Sequence, residues 1–268
     1  MFNYLVRKFT RRLPVNVITV AKSMKKESKR VKSKRAFVYF ISCALWIIYI
    51  YVVLLGILVE LKKSSVHQDV ILVSVIIIVI ASIVVYVTMC RSGHPLSFFG
   101  VTTRNWKRNI LEAFLYSLPL MLVILGVKWM LVMFVPGLHD NRLIDPTGFY
   151  TINGVVNIKD YVYASTLYIV FSPLQEFIVR GGLQSIFQDF LVGQSGKCSW
   201  NAIVLSNLLF CMMHVHNSST LSMAIFLPGI FFGWLYSKQG SLVGPSFAHI
   251  LLGVWTYFIV GAPKEIFF

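Results

Sequence analysis

The segment VILVSVIIIVIASIVVYVTMC, residues 70–90, contains no charged side chain. An apolar run of about 20 residues is long enough to cross the hydrocarbon layer of a membrane as one α-helix. Similar apolar runs occur at about 36–60, 109–135, 161–178, 200–216, 220–237 and 241–261. The sequence therefore predicts an all-α fold, a polytopic transmembrane helical bundle of about seven spans.

The composition supports this prediction. Hydrophobic residues make up 57% of the 268 residues and charged residues only 13%, and the mean hydropathy is +0.73. Soluble domains contain about 25% charged residues, so water is not the main solvent of this chain. We expect an integral, multi-pass membrane protein.

The positive charge is concentrated before the first apolar run. Of the 25 Lys and Arg residues, 12 lie between Arg7 and Arg35, and the formal net charge of the chain is +15. This placement favours a cytoplasmic N-terminus and binding to anionic membrane lipids, and argues against a nucleic-acid partner. Apolar residues from Phe2 to Leu13 have helical spacing, which fits a short interfacial helix. A disordered basic tail fits equally well, because Pro14 interrupts the pattern.

Four regions follow from these patterns: a basic cytoplasmic N-terminal arm (1–35), N-terminal transmembrane helices (36–135), an external loop (136–160) and a second group of spans (161–261). The loop is rich in turn-forming Pro-Gly, Asp-Pro-Thr-Gly and Asn-Gly groups. The long polar arm ahead of the first span differs from a secretory signal peptide, so we expect that span to be retained. A compact chain with a basic tail favours a bacterial plasma membrane.

Ionisable side chains within membrane spans are costly and usually functional. Glu60, Glu112 and Lys128 lie in the first half of the chain, where we expect interfacial or snorkelled side chains. The others cluster in the last four spans, at Glu176, Arg180, His214, His216 and His249.

Glu176 and Arg180 are four residues apart and share one helix face. They form either part of an active site or a plain ion pair that anchors a helix end. His214 and His249 lie on different spans and could converge with Glu176 on a divalent metal ion, or on a water molecule that they activate. The alternative is a pair of hydrogen-bonded core histidines. His216 faces away from His214 on a helix and is the weaker candidate.

The order of these residues resembles the CPBP family, which includes CAAX prenyl endopeptidases and Abi-type, bacteriocin-processing intramembrane metalloproteases. The family pattern is E-E-x-x-x-R, then F-x-x-x-H, then H-x-x-x-N. The resemblance covers about residues 161–261. The matching segments here are Gln175-Glu176-x-x-x-Arg180, Phe210-x-x-x-His214 and His249-x-x-x-Gly253.

The resemblance implies a helical bundle with a polar cavity that opens toward the cytoplasm. It implies that Glu176, Arg180, His214 and His249 carry out peptide-bond hydrolysis on a membrane-associated substrate. Glu176 would activate water and Arg180 would orient Glu176, while the histidines would stabilise the oxyanion or bind a divalent metal, with zinc expected. In that metal site, His214, His249 and Glu176 would be the ligands.

Two positions depart from the pattern. Gln175 replaces the first Glu of the motif, and an amide can orient a water but is not a general base. Gly253 replaces the Asn, and a water molecule could fill the space. These departures keep two alternatives open: a catalytically inactive scaffold that binds and regulates a membrane protein partner, and a small transporter.

Overall fold

The computed structural model describes residues 66–139, 141–147, 150–152, 155–192, 199–215 and 219–261, together with a few single positions nearer the N-terminus. The predicted basic arm (1–35) and the first predicted span (36–60) lie almost entirely outside the described residues. The helices are α1 Val66–Arg91, α2 Trp106–Phe134, α3 Ile158–Glu176, α4 Ser185–Val192, α5 Trp200–Met212, α6 Ser219–Ala224, α7 Phe226–Gln239 and α8 Val243–Gly253. Two π-helical segments, Phe177–Gln184 and Val254–Val260, follow α3 and α8.

Five helical stretches in the described part of the chain are long and apolar enough to cross a membrane. They are Ser74–Arg91, Trp106–Phe134, Ile158–Leu191, Thr220–Gln239 and Val243–Val260, and α5 is a shorter apolar helix. The predicted all-α polytopic bundle is therefore confirmed. The chain is an integral, multi-pass membrane protein.

The third of these stretches is longer than predicted. The sequence indicated a span over about 161–178, but the helix continues through the first π segment into α4. Arg180 follows the predicted end of this span, and its guanidinium is fully buried among other helices. A buried cation with several hydrogen-bond acceptors does not need to leave the bundle.

Helix α8 lies against α2, α3 and α7. One apolar cluster joins three of these helices and contains Ala113, Phe232, Leu235, Ala248 and Leu252. Alanine at 113 and 248 allows the backbones to approach closely, which is how membrane helices gain van der Waals contact. This packing holds α8 beside the C-terminal end of α3.

Lys128 differs from its prediction. Instead of extending to the headgroups, its side chain is buried in α2, and its ammonium group donates a hydrogen bond of 2.5 Å to the carbonyl of Val260. Val260 is the last residue of the second π segment, and carbonyls at a helix C-terminus attract cations. The lysine therefore connects α2 to the end of the last helix.

The connection between α2 and α3 contains two short antiparallel strands, β1 Thr151–Ile152 and β2 Val155–Val156. α3 starts at Ile158, so the predicted loop 136–160 ends slightly earlier than expected. The ring of Tyr150 stacks on Phe258 with centroids 6.1 Å apart. Burial raises the pKa of Tyr150 to about 12, which keeps its hydroxyl protonated. The loop is thus attached to the last helical segment.

Candidate active site

Glu176 is the last residue of α3, and its side chain has no exposed surface. One carboxylate oxygen, Oε1, lies 2.8 Å from Nδ1 of His249, and the other, Oε2, accepts a bond of 3.2 Å from Nε of Arg180. A carboxylate only accepts hydrogen bonds, so Nδ1 of His249 is the donor. The structure therefore joins Arg180, Glu176 and His249 in one hydrogen-bonded row.

The local helix geometry explains this row. Residues four apart on a helix are neighbours, which places Arg180 beside Glu176 across the junction between α3 and the first π segment. Pro173 lies within α3 shortly before the junction. Wide π turns inside α-helices occur often at functional sites. His249 joins the row from α8, which packs along α3.

Arg180 is enclosed by acceptors from three helical segments. Its NH1 group points to Oε1 of Gln184 at 3.4 Å and to the hydroxyl of Ser206 at 3.5 Å. Its NH2 group points to Oδ1 of Asn207 at 3.3 Å and to the carbonyl of Gly229 at 2.9 Å. Gln184, Ser206 and Asn207 were not among the predicted site residues. Their signal in the sequence was weak. Ser206 and Asn207 are two polar residues in the mainly apolar run 200–216, and Gln184 is an amide four residues after Arg180.

Aromatic rings fix the orientation of His249. Phe232 stacks on the imidazole with centroids 4.9 Å apart, while Phe210 and Tyr168 present edge contacts at 6.0 and 5.9 Å. The imidazole side chain keeps 9% of its surface exposed. With Nδ1 directed at Glu176, Nε2 is the ring nitrogen left for other chemistry.

His214 contacts both the backbone and the ring of Phe210. The prediction placed it on a helix ending at 216, but α5 ends at Met212 and His214 lies in the following turn. Its Nδ1 bonds the carbonyl of Phe210 at 2.9 Å, and its ring packs on the Phe210 ring at 4.6 Å. Phe210 thus contacts both imidazoles. His216 is outside the described residues.

Residues 158–255 match the family model described as type II CAAX prenyl endopeptidase, Rce1-like. This part of the chain is similar to CPBP-type intramembrane proteases. The matched segment is a little over a third of the 268 residues and contains all three motif positions. The chain has no match among curated proteins and none among solved structures.

The first departure from the CPBP pattern, Gln175, stays apart from the row. Consecutive helical residues point about 100° apart, and Gln175 is half-buried beside a fully buried Glu176. Within the described part of the chain, its side chain makes no hydrogen bond with the row. The Gln175 amide therefore does not replace Glu176 in its hydrogen bonds with Arg180 and His249.

The second departure, Gly253, has a neighbour that the sequence did not reveal. A Cβ atom at 253 would overlap the hydroxyl oxygen and the ring of Tyr168. The expectation that water fills this space was wrong, because the phenol occupies it.

The predicted metal site, with His214, His249 and Glu176 as its ligands, stays a prediction. Among the described residues, no three His, Cys, Asp or Glu side chains form a group that could hold a metal ion. Both oxygens of Glu176 already accept hydrogen bonds from Arg180 and His249. The row instead has the form of a base held by an orienting carboxylate, an arrangement that serves acid–base catalysis.

Proposed function

We propose that the chain is an intramembrane endopeptidase that hydrolyses a peptide bond of a membrane-associated protein or peptide. The observation that carries this proposal is the 2.8 Å hydrogen bond between Glu176 and His249 inside the helical bundle. Burying a carboxylate and an imidazole together in a membrane protein is costly and suits a catalytic role. The CPBP-type match over the same residues supports it.

We propose that His249, rather than the enclosed Glu176, activates the water molecule. The carboxylate has no exposed surface, whereas the imidazole keeps some. Water therefore approaches Nε2 of His249, which takes one water proton as the oxygen attacks the carbonyl carbon of the substrate. The tetrahedral intermediate then collapses, the carbon–nitrogen bond breaks, and the same proton passes from Nε2 to the leaving amine.

Glu176 and Arg180 act through His249 in this scheme. Glu176 holds Nδ1–H and stabilises the imidazolium that forms while the proton resides on the ring, as orienting carboxylates do in other hydrolases. Arg180 holds the second carboxylate oxygen, so the Glu176 carboxylate keeps its orientation toward His249. Arg180 is a positioning residue, because Glu176 and His249 separate it from the reacting atoms.

The test is hydrolysis by the purified protein in lipid vesicles. The probes are fluorogenic peptides, offered as a prenylated C-terminal peptide, its unprenylated twin and a hydrophobic signal-type peptide. We expect Glu176→Gln and His249→Gln each to lower kcat by about 10²–10⁴-fold, the usual contribution of a general base. The double variant should be little worse than either single one, because the two residues work as a unit.

His139→Gln is the matched control, since this exposed histidine bonds the Val132 carbonyl in the loop after α2. It should retain the parent rate. Absence of hydrolysis by the parent with every peptide, or hydrolysis unchanged in both Glu176→Gln and His249→Gln, would refute the proposal.

A second candidate, an inactive scaffold for a membrane partner, is favoured by one observation. Glu176 is fully enclosed, and the adjacent position carries Gln175 in place of the CPBP glutamate. If this candidate is right, the parent cleaves none of the peptides. A membrane protein then co-purifies in fixed stoichiometry, and it stays bound to the Glu176→Gln variant.

A further inference from the structure

Tyr168 occupies the position at which residue 253 would present a side chain. A Cβ atom built on Gly253 would overlap the hydroxyl oxygen, Cζ and Cε1 of Tyr168. Gly253 lies four residues after His249 on α8, so the two residues share one face of that helix. The phenol group therefore points to the same face of α8 as the imidazole.

The ring of Tyr168 is held between the site and the last helical segment. It contacts the edge of the His249 ring at 5.9 Å and packs on Tyr257 and Phe258 at 5.9 and 6.0 Å. Tyr168 lies eight residues before Glu176 on α3, and its hydroxyl interacts with both the Ser172 side chain and the Glu176 carboxylate. These contacts fix a hydroxyl beside the proposed acid–base pair.

Peptide hydrolysis requires a hydrogen-bond donor for the negative charge that develops on the carbonyl oxygen. The other polar groups of the row are engaged: Arg180 bonds Glu176 and four further acceptors, and a carboxylate donates no proton. An uncharged phenol has one O–H donor. The phenol ring lies next to His249, the residue proposed to take the proton of the attacking water.

We infer that the Tyr168 hydroxyl is the oxyanion donor of this site and supplies, from α3, the polar group that glycine at 253 cannot. The inference rests on the proposed endopeptidase function. It explains why Gly253 accompanies Tyr168: a larger residue at 253 would displace the phenol.

Tyr168→Phe is the first test, because it removes the hydroxyl and leaves the ring packing intact. We expect kcat for the cleaved peptide to fall by about 10²-fold, the usual effect of losing one oxyanion donor. KM and the unfolding temperature should stay at the parent values, which separates a catalytic role from a structural one. Tyr257→Phe is the matched control, since Tyr257 packs on Tyr168, and it should retain the parent kcat.

A relocation of the donor is the second test. Tyr168→Ala should lose activity, and Gly253→Asn alone should be inactive because its side chain overlaps the phenol. The combined variant has space for the amide, which is also an N–H donor. We expect the kcat of the combined variant to be at least about tenfold higher than that of Tyr168→Ala. This gain corresponds to an activation barrier lower by about 1.4 kcal/mol.

The outcomes separate this inference from the proposed function. If Tyr168→Phe keeps the parent kcat while Glu176→Gln loses it, the oxyanion role is wrong and the endopeptidase proposal stands. If the parent shows no Glu176-dependent hydrolysis, both are wrong. If Tyr168→Phe lowers both kcat and the unfolding temperature, the inference is also wrong, because the hydroxyl would then be structural.

Discussion

Arg180 shows how a permanent charge is accommodated inside this helical bundle. Its guanidinium is fully buried, and five acceptors surround it. Removing a charge from water costs several kcal/mol even after relaxation. Only the pairing with Glu176 and the further hydrogen bonds offset that cost, so the stability of the bundle depends on keeping the whole set.

We expect Arg180→Gln to be strongly destabilising. The substitution leaves the Glu176 carboxylate buried without its cation, and breaking one side of a buried pair costs about 3–5 kcal/mol. The measurement is thermal or denaturant unfolding in detergent. Arg108→Gln is the control, because Arg108 makes the same i to i+4 pair with Glu112 at 2.8 Å but is 75% exposed. Exposed pairs contribute about 0–1 kcal/mol, so equal losses in the two variants would contradict the buried-charge account.

At the scale of helices, α7 approaches α5 so closely that only glycine fits at 229. A Cβ atom there would overlap Oδ1 of Asn207. The Asn207 amide in turn donates to the Phe226 carbonyl at 2.9 Å and accepts from Arg180. The contact between these two helices therefore also positions the Arg180 end of the hydrogen-bonded row.

Gly229→Ala should consequently reduce both stability and activity. The added methyl group forces Asn207 out of place, and overpacking of this kind typically costs about 1–3 kcal/mol. Unfolding in detergent and peptide hydrolysis are the two readouts. Gly126→Ala in α2 is the matched control, because no atom lies within 4 Å of a Cβ at that position. Because alanine favours a helix over glycine by up to about 1 kcal/mol, Gly126→Ala should not lower the stability. If both variants lose the same stability, overlap with Asn207 does not explain the effect of Gly229→Ala.

The sequence predicted the helical elements better than it predicted their ends and side-chain contacts. Hydropathy alone marks a segment such as 70–90 as a span, because the backbone in lipid must satisfy its own hydrogen bonds. Three features were not predicted: the helix that continues past Arg180, the buried side chain of Lys128 and the phenol ring beside Gly253. Each depends on a partner distant in sequence: Asn207, the Val260 carbonyl and α8, respectively.

At the scale of the whole molecule, long helices with large exposed apolar side chains need lipid around them. α2 presents Leu111, Leu115, Leu122 and Met130 among its exposed residues. Only a small part of the α2 span is buried within the protein. Since α2 is long enough to cross the membrane, its two ends lie on opposite sides. Arg91 is the last residue of α1, and Arg104 lies in the connection before α2. Lys107 and Arg108 follow in the first turn of α2.

The positive-inside rule predicts that this basic end of α2 lies in the cytoplasm and that the loop after α2 lies outside. We expect a cysteine at position 141, in Asn141→Cys, to react with a membrane-impermeant maleimide in intact cells. Arg104→Cys should react only after the membrane is permeabilised. Both variants are made in a background with Cys43, Cys90, Cys198 and Cys211 changed to serine. Labelling of both positions in intact cells would show that α2 does not cross the membrane, and the reverse pattern would invert the bundle. An inverted bundle would also move the basic N-terminal arm outside, where it would no longer face the anionic cytoplasmic leaflet.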